Sequence, residues 1–582
     1  MSASGPGTPA RELSKRAART IGWALAAATA LAVLVDQRSV GIARDEVVDV
    51  QAGAHYADWW IGLVTLRNGI SEASIARGFG GPGATDNNRE HPPLMKTLFG
   101  LSGRLLGALG VDEMTAFRAP AAVVHGAAVL LVYGMALELW GLAQAIVSAL
   151  LLLLLPRALF HAGLACFDAP SMALWFATVR AYWHAMDGER PRWPWQVGVV
   201  WGLALATKHT ALLLPFAFGA HYLIAGAAAG RARIREQPER AGLAGAARML
   251  AIARIAIGHR WRVIASLAVL GPLTLYALWP WLWLDPVHHV RDWLAFHLGH
   301  VHYNFEYLGR NWNAPPFPWH VALVTTLFTV PASTLAAAAV GAGVWIAERG
   351  RPRAPALLLA LSAAAAIGPF FLRTTPIFGA EKHWMPALPT ICIAAGVGAV
   401  WAARTAARAI AVLARAERVA IAAVAGAVVL AAAVETCVAE PYALTWYSAL
   451  AGGAPGGADL GMNRQFWGVA MRGALPRLAA EAKPSGPTYV YTHDASPAWG
   501  LYQRARLVPR TLVDAGWEQA GIDRSDLAVV IHELHFNRHD YLIWNSYRTV
   551  QPIEVVTSDG VPVVSIYRRP GAGAGTGASA PR

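Results

Sequence analysis

Residues 20–46 read TIGWALAAATALAVLVDQRSVGIARDE, and this stretch decides the fold class. A helix crosses a bilayer with about 20 mostly apolar residues, and the run Ile21–Val35 with its flanks supplies such a helix over residues 20–36. No small-residue cleavage site follows the run, so we interpret it as an uncleaved anchor with a cytoplasmic N-terminus, residues 1–19. Four basic residues precede the run: Arg11, Lys15, Arg16 and Arg19.

The composition of the whole chain also indicates a membrane protein. Of 582 residues, 55% are hydrophobic and 15% are charged, whereas soluble domains have roughly 25% charged residues. A chain this apolar has too little polar surface for a water-soluble globule, and it is neither disordered nor fibrous. The three cysteines lie in or beside apolar segments and give no disulfide framework. The net charge of +13 is explained by basic cytoplasmic loops, without nucleic acid as a partner.

Ten further stretches have the length and apolarity of membrane spans, which makes about eleven spans in a polytopic α-helical membrane protein. The fifth and sixth are short and are joined by Thr207-Lys208-His209, so they can equally form one kinked helix. The predicted spans cover residues 20–36, 118–138, 142–163, 168–186, 195–207, 209–227, 263–284, 320–347, 354–372, 384–404 and 418–438.

The loops between these spans predict the orientation, because Lys and Arg accumulate in cytoplasmic loops. With the N-terminus inside, the inner loops are all basic, and the stretch 228–262 alone carries eight arginines. The outer segments are less basic and hold most of the residues that can carry chemistry: 37–117, 164–167, 285–319, 373–383 and everything after 438.

Two outer regions are predicted to have structure of their own. Pro93–Gly110 has leucines at helical spacing and basic residues on the other side, which predicts an amphipathic helix in the membrane interface. Beyond the transmembrane domain of residues 20–440, the pattern predicts a small extracytoplasmic α/β domain over 441–569 and a disordered tail over 570–582. Its strands are predicted at Thr488–Thr492, Leu527–His532, Ile553–Thr557 and Val561–Tyr567, with helices near 463–481 and 537–547.

The first outer loop, residues 37–117, opens with Arg44-Asp45-Glu46. A carboxylate at a membrane surface is partly desolvated, which raises its pKa toward the range that a general base needs. The alternative is a pair of solvated loop acids, and this pair alone favours it, because acids are common on outer loops. The residues alone do not choose between Asp45 and Glu46 as the base.

The same loop ends with Arg89-Glu90-His91-Pro92-Pro93-Leu94-Met95-Lys96. Prolines are accommodated in the first turn of a helix, so a helix N-terminus is predicted near Pro92. Such an N-terminus with nearby cations favours a phosphate, which makes Arg89, His91 and Lys96 candidate ligands. The alternative is an interfacial helix with snorkelling cations.

Asp168 lies at the outer start of the fourth span, where an ionisable residue is a functional candidate. A helix N-cap is the competing interpretation. Lys208, in the short outer turn, can face an anionic substrate or anchor to lipid head groups.

The outer loop 285–319 is rich in histidine, and imidazole is a common metal ligand. The histidine spacing supplies no i, i+4 pair, so we predict no metal site and expect a wet, aromatic-rich interfacial loop. Within it, His302 and Glu306 are candidates for a substrate cavity. Lys382 and His383 enter the tenth span from outside, near the same cavity.

Several motifs are absent from the sequence. It has no GxxxxGK[ST] loop, no His-Glu-x-x-His pattern and no Gly-x-Ser-x-Gly elbow, which excludes the corresponding ATP-driven pumps, metalloproteases and serine hydrolases. The predicted spans also carry few charges, unlike those of a proton-relay transporter.

Seven segments together carry a family resemblance: ARDEVVDVQAGAHYADWW, EHPPLMK, LACFDAPSMALWF, GLALATKHTALLLPF, EKHWMPALP, EPYALTWYSALAGGAPGG and FWG. They resemble the dolichyl-phosphate-mannose-protein mannosyltransferase superfamily, whose bacterial branch includes the aminoarabinose transferases that act on lipid A. The resemblance covers most of residues 15–470, and the acidic pair and the HPPL-x-K segment are its most specific parts.

This resemblance implies a GT-C fold glycosyltransferase that takes a sugar from a polyprenyl-phosphate carrier without a metal or other cofactor. It implies Asp45 as the base or acceptor-positioning residue, with Glu46 beside it, and Asp168 as a second acid. Basic residues around the HPPL segment would hold the carrier phosphate. The implied location is the bacterial inner membrane, with the active site and C-terminal domain on the periplasmic side.

The acceptor is left open as a protein hydroxyl, a lipid or a glycan, because the C-terminal domain is short and lacks sugar-binding repeats. Direct displacement at the anomeric carbon would invert its configuration, with positioning and electrostatics supplying most of the rate. One rival function is a transporter or flippase for the carrier-linked sugar, which needs charges near the bilayer midplane. Another is a membrane-anchored binding protein, and a third is an enzyme with a diphosphate-linked donor.

Overall fold

The computed structural model describes residues 14–81, 86–186, 193–236, 245–258, 260–347, 353–409 and 417–572. The protein is a polytopic α-helical membrane protein with a small C-terminal α/β domain, as predicted. The predicted disordered tail falls almost wholly outside the described residues. Twenty α-helices precede the C-terminal domain in the described ranges: α1 (Lys15–Asp36), α2 (Arg44–Val64), α3 (Glu72–Phe79), α4 (Leu94–Ala108), α5 (Glu113–Leu139), α6 (Leu142–Leu153), α7 (Pro156–Ala162), α8 (Asp168–Met186), α9 (Trp195–Leu205), α10 (Leu214–Glu236), α11 (Gly245–Gly258), α12 (Trp261–Ala265), α13 (Gly271–Leu278), α14 (Trp281–Leu284), α15 (Pro286–Leu298), α16 (Val321–Thr329), α17 (Ala332–Ala347), α18 (Arg353–Ile367), α19 (Leu388–Ala409) and α20 (Glu417–Ala439).

All eleven predicted spans are helical, but they differ in whether they are long and apolar enough to cross a bilayer. Within the described ranges, seven helical segments are long and apolar enough to span, or up to nine if two bent pairs count as one span each. The pairs are α6 with α7, bent by 68°, and α16 with α17, bent by 119°. A proline lies at each bend, Pro156 in the first pair and Pro331 in the second. The helix breaks there because helical geometry is disfavoured for the residue before a proline.

The remaining two predicted spans are α8 and α9, which fall outside that group. Helix α9 has only 11 residues. It is separate from the next helix because Lys208 is extended, with φ −153° and ψ 136°. The stretch 195–227 is therefore two helical pieces with a turn that carries a candidate site residue between them.

Helix α4 is the amphipathic helix that the sequence predicts, and it packs against α2 and α5. Its leucine side includes the exposed Leu98 and Leu105, whereas Lys96 and Phe99 are buried. The contact with α2 is close, since a Cβ atom on Gly100 would lie 1.9 Å from the carbonyl oxygen of Gly53. This close approach holds the first half of α4 against the middle of α2.

The C-terminal domain is built on a five-stranded sheet of strand order β4-β3-β5-β7-β6. Strands β4, β3 and β5 are parallel, and β5, β7 and β6 pair antiparallel. The four predicted strands are all present, but β4 and a β1–β2 hairpin are not predicted, because each of these strands has only three residues. The strands are β1 (Phe305–Tyr307), β2 (Arg310–Trp312), β3 (Thr488–Thr492), β4 (Leu512–Asp514), β5 (Leu527–Ile531), β6 (Glu554–Ser558) and β7 (Val561–Arg568). The helices of this region are α21 (Gly453–Asp459), α22 (Met471–Ala480), α23 (Trp499–Arg504), α24 (Gln519–Arg524) and α25 (Asn537–Tyr547).

A buried ion pair between α2 and α5 holds the first turn of α2 in place. Arg118 donates to both carboxylate oxygens of Glu46, at 2.7 and 2.6 Å. It also donates to the carbonyl oxygens of Gln37 and Gly41, in the connection between α1 and α2. Both charged side chains are almost wholly buried, so this pair orients the helix start that carries the acidic motif.

Arg118→Met should lower the free energy of unfolding by roughly 3–5 kcal/mol, because it leaves the Glu46 carboxylate buried without its cation. Arg104→Met is the matched control, since the Arg104–Asp58 pair is exposed and should contribute at most about 1 kcal/mol. Denaturation of the purified proteins in the same detergent measures both. Equal losses in the two variants would contradict the structural role of Arg118.

Candidate active site

A cavity of ≈ 870 Å³ lies between the ends of the membrane helices and the C-terminal domain. Most of its wall comes from segments that the sequence analysis assigns to the outer side or from the span ends beside them. These segments therefore share one face of the helical bundle. The lining residues fall within 44–49, 88–91, 166–175, 208–213, 296–304, 366–386, 466–467, 493–497, 517 and 533–536.

Asp45 presents a carboxylate to this cavity from the first turn of α2. Its side chain is 46% exposed, and its Oδ2 lies 3.5 Å from Nζ of Lys382. Lys382 is nearly buried, with its ammonium 4.3 Å from the centre of the Trp467 ring. The cavity therefore contains an accessible carboxylate beside a largely desolvated cation.

Glu46, the neighbour of Asp45, faces the protein interior. Besides the two bonds from Arg118, its carboxylate accepts hydrogen bonds from the backbone N–H groups of Ala43 and Ala165. The side chain is completely buried and does not line the cavity. These contacts place Glu46 in the interior, whereas Asp45 lines the cavity. The sequence alone could not make this distinction.

Asp49 is a cavity residue that the sequence analysis missed. It lies one turn after Asp45 on α2 and is buried, with Asn88 donating to its Oδ1 at 3.4 Å. Burial raises the pKa of Asp49, and the negative charges of Asp45 and Asp168 raise it further, although Lys96 opposes this. The i, i+4 spacing from Asp45 was the available signal, since it places both carboxylates on one helical face.

Asp168 and Lys208 form the second charged pair of the cavity. Lys208 Nζ donates to Asp168 Oδ1 at 2.6 Å, and both side chains are more than nine-tenths buried. Asp168 begins α8, and Lys208 occupies the extended turn after α9. The structure thus brings together two candidates 40 positions apart in sequence.

Lys96 lies beneath the loop that precedes α4, outside the cavity lining. Its ammonium donates to the carbonyl oxygens of Asn88 and His91, at 2.5 and 2.9 Å, and to the hydroxyl of Tyr56 at 3.2 Å. Burial lowers the pKa of Lys96 to about 8, against the attraction of Asp49. All three N–H donors are used within the protein, so Lys96 fixes the loop from below while His91 faces the cavity.

The other candidates divide in the same way. His91, Lys208, Lys382 and His383 line the cavity, whereas Arg89, His302 and Glu306 do not. The His302 ring contacts Phe317, and the backbone N–H of Glu306 donates to Asn463. From the histidine-rich loop it is instead His297, His300, Tyr303 and Asn304 that line the cavity.

The cavity histidines are packed together in a poorly solvated environment. His297 stacks on His209 with ring centres 3.7 Å apart, and the His91 ring lies 5.3 Å from that of His297. Burial lowers the pKa of His297 to about 4 and holds the pKa of His91 well below its usual range. The His91 and His297 rings are therefore neutral near pH 7 and can serve as hydrogen-bonding groups there. In the described part of the chain, no group of three or more His, Cys, Asp or Glu side chains is arranged to hold a metal ion.

The C-terminal domain contributes a further part of the cavity wall. Asp494 accepts a hydrogen bond from Arg44 at 3.0 Å, a contact across 450 positions. His493, Trp517 and Glu533 also line the cavity. No pattern in the sequence could have linked these residues to the first outer loop, because the contact depends on how the domain sits on the helices.

Residues 90–254 match the family model described as dolichyl-phosphate-mannose-protein mannosyltransferase. The match confirms the predicted resemblance over this segment, which includes His91, Asp168 and Lys208. No match is found among curated proteins.

Two solved structures illustrate chains with a similar course. ArnT from Cupriavidus metallidurans bound to undecaprenyl phosphate has a TM-score of 0.49 and 16% identity, covering 94% of this chain and 98% of its own. The apo Archaeoglobus fulgidus oligosaccharyltransferase has a TM-score of 0.38 and 11% identity, covering 79% of this chain and 64% of its own.

Protonation of His297 should not contribute to the pH dependence of activity near neutral pH. Because its pKa is lowered to about 4, the His297 imidazole gains its proton only well below pH 6. The pH profile of kcat/KM reports groups of the free enzyme, so its shape between about pH 5.5 and 8 should be the same in wild type and His297→Gln. The exposed His288, paired with Asp285, supplies the control variant His288→Gln. A limb near pH 6.5 that disappears only in His297→Gln would contradict the neutral assignment.

Proposed function

We propose that the protein is a GT-C-like membrane glycosyltransferase that moves a sugar from a polyprenyl-phosphate carrier to an acceptor hydroxyl at the outer face. The observation that carries the proposal is the accessible Asp45 carboxylate 3.5 Å from the buried Lys382 ammonium in one large cavity. A general base and a cation for a phosphate leaving group are the two groups that this transfer requires. The family match over residues 90–254 supports the same chemistry.

The carrier phosphate binds between the Lys382 and Lys208 side chains. Both ammonium groups act on His383, where burial and then these two positive charges lower the imidazole pKa. Both cations line the same cavity. A phosphate there gains charge-assisted hydrogen bonds in a site with little water.

The reaction is a single displacement at the anomeric carbon. Asp45 accepts the proton of the acceptor hydroxyl as its oxygen forms the new bond to the anomeric carbon. The bond between that carbon and the phosphate oxygen breaks on the opposite face, so the configuration inverts. The electron pair stays on the carrier, which leaves as a phosphate monoester stabilised by Lys382 and Lys208.

The remaining candidates support this geometry without touching the reacting atoms. Glu46 orients the first turn of α2, and Lys96 holds the Asn88–His91 loop through two of its carbonyl oxygens. Asp168 keeps the Lys208 ammonium directed into the cavity. His91 and His297 line the same wall as neutral hydrogen-bonding groups.

Asp45→Asn should reduce transfer by about 10²- to 10⁴-fold, because an amide cannot accept the acceptor's proton. The assay uses the purified protein in lipid nanodiscs with radiolabelled polyprenyl-phosphate hexoses and pentoses. A crude membrane and periplasmic extract supplies the acceptor. The readout is label lost from the donor.

The matched control is Asp58→Asn. Asp58 lies on the same helix as Asp45, and its exposed carboxylate pairs with Arg104. This variant should keep near-normal turnover. If Asp45→Asn also kept near-normal turnover, the assignment of the base would be wrong. If labelled carrier bound or crossed the bilayer but was never consumed, the transporter function would replace the enzyme.

Lys382→Met should weaken binding of polyprenyl phosphate about 10- to 100-fold, since a hydrogen bond to a charged group contributes roughly 1.5–3 kcal/mol. Lys483→Met is the control, because Lys483 pairs with Asp526 in the C-terminal domain, outside the cavity lining. Titration calorimetry in nanodiscs measures both dissociation constants, and Lys382→Arg should restore part of the affinity. An unchanged dissociation constant in Lys382→Met would remove Lys382 from the phosphate site.

A further inference from the structure

The carboxyl ends of three parallel strands of the C-terminal domain point at the cavity. His493 and Asp494 follow β3, Trp517 lies just beyond β4, and Glu533 follows β5. In open α/β sheets, ligands bind outside the carboxyl ends of parallel strands. We call these residues, together with Pro497 and Phe536, the sheet edge.

The sheet edge differs in chemistry from the helical side of the cavity. None of its six residues is Lys or Arg, whereas the helical side carries Lys208 and Lys382. Arg44 reaches toward the edge but is paired there with Asp494 at 3.0 Å. Burial raises the pKa of Glu533, so its carboxyl group can carry a proton and donate as well as accept a hydrogen bond. The edge therefore suits a neutral, strongly hydrogen-bonding ligand and disfavours a second phosphate.

Trp517 adds an aromatic platform to this edge. Its side chain is 58% exposed although it lines the cavity. A large aromatic ring that lines the same cavity edge as two carboxyl groups offers an apolar face for C–H groups, while the carboxyl groups can bind hydroxyls. That combination matches a sugar ring, which presents C–H groups on its face and hydroxyls around its rim.

We infer that the sheet edge is the acceptor subsite and that the acceptor is a neutral carbohydrate, with one sugar ring stacked on Trp517. This inference rests on the proposed function and extends it by naming the class of acceptor. The carrier phosphate and the acceptor occupy different parts of the cavity wall, with the Asp45 carboxylate available to the acceptor hydroxyl.

The first experiment identifies the acceptor fraction that receives the labelled sugar, and the second measures how replacing Trp517 changes the KM for that acceptor. An envelope extract is divided by anion exchange and protease digestion into neutral glycan, phosphorylated glycolipid and protein fractions. Each is offered to the full chain in nanodiscs with labelled polyprenyl-phosphate sugar. Label should enter the neutral glycan fraction, and label in the phosphorylated or protein fraction instead would overturn the inference.

Trp517→Ala should raise the KM for the labelled glycan about tenfold, in line with the loss of an aromatic contact, and leave the dissociation constant for polyprenyl phosphate unchanged. Trp517→Phe should recover most of the affinity. Tyr541→Ala is the control, because Tyr541 is 65% exposed in the same domain and does not line the cavity. An unchanged acceptor KM in Trp517→Ala would overturn the inference while leaving the glycosyltransferase function intact. Failure of the wild type to consume any donor would instead remove the proposed function itself.

Discussion

The buried ion pair between Glu46 and Arg118 is the contact on which the rest of the site depends. It joins α2 to α5, and Arg118 also holds the α1–α2 connection through the Gln37 and Gly41 carbonyl oxygens. Because Glu46 is fixed in the interior, the adjacent Asp45 must emerge on the cavity side of the first helical turn. A buried charge that loses its partner is strongly destabilising, which makes this orientation stringent.

The same arrangement recurs in a second segment beside the cavity. Glu381 pairs with Arg157 at 2.9 Å. Burial raises the pKa of Glu381, but the positive charge of Arg157 outweighs this effect and lowers the pKa to about 2. Arg157 also donates to the carbonyl oxygens of Leu444 and Trp446. Lys382, the next residue along the chain, faces the cavity and approaches Asp45. In both motifs one charged residue is paired with a buried arginine, and its neighbour in sequence faces the cavity.

The sequence predicted the helices and four of the five strands of the C-terminal sheet because their periodicity and apolarity are local properties. It also placed Asp45, Asp168 and Lys208 among the candidates, because they lie in an outer loop, at the outer start of a span and in an outer turn, respectively. It could not assign Asp45 and Glu46 to different environments, since that depends on Arg118, 72 positions away from Glu46. Lys96 was expected on the polar side of an amphipathic helix, yet packing of α4 against α2 buries it.

In the proposed function, the two substrates are held by different parts of the cavity. Lys208 and Lys382 lie on the helical side, and the sheet edge carries no Lys or Arg, so charge would keep an anionic carrier and a neutral acceptor apart. In this proposal the acceptor hydroxyl meets the anomeric carbon from the side opposite the phosphate, as an inverting displacement requires. Placing the two partners in this way supplies much of the rate through proximity and orientation.

The central claim is that one cavity holds the carrier phosphate on the helical side, with Asp45 facing the sugar. A cryo-electron microscopy structure of the Asp45→Asn protein in nanodiscs with a polyprenyl-phosphate-linked sugar tests it most directly. The account expects the phosphate to lie within hydrogen-bonding distance of Lys382 and Lys208, with residue 45 beside the anomeric carbon. A phosphate bound at the sheet edge, or outside the cavity, would contradict it.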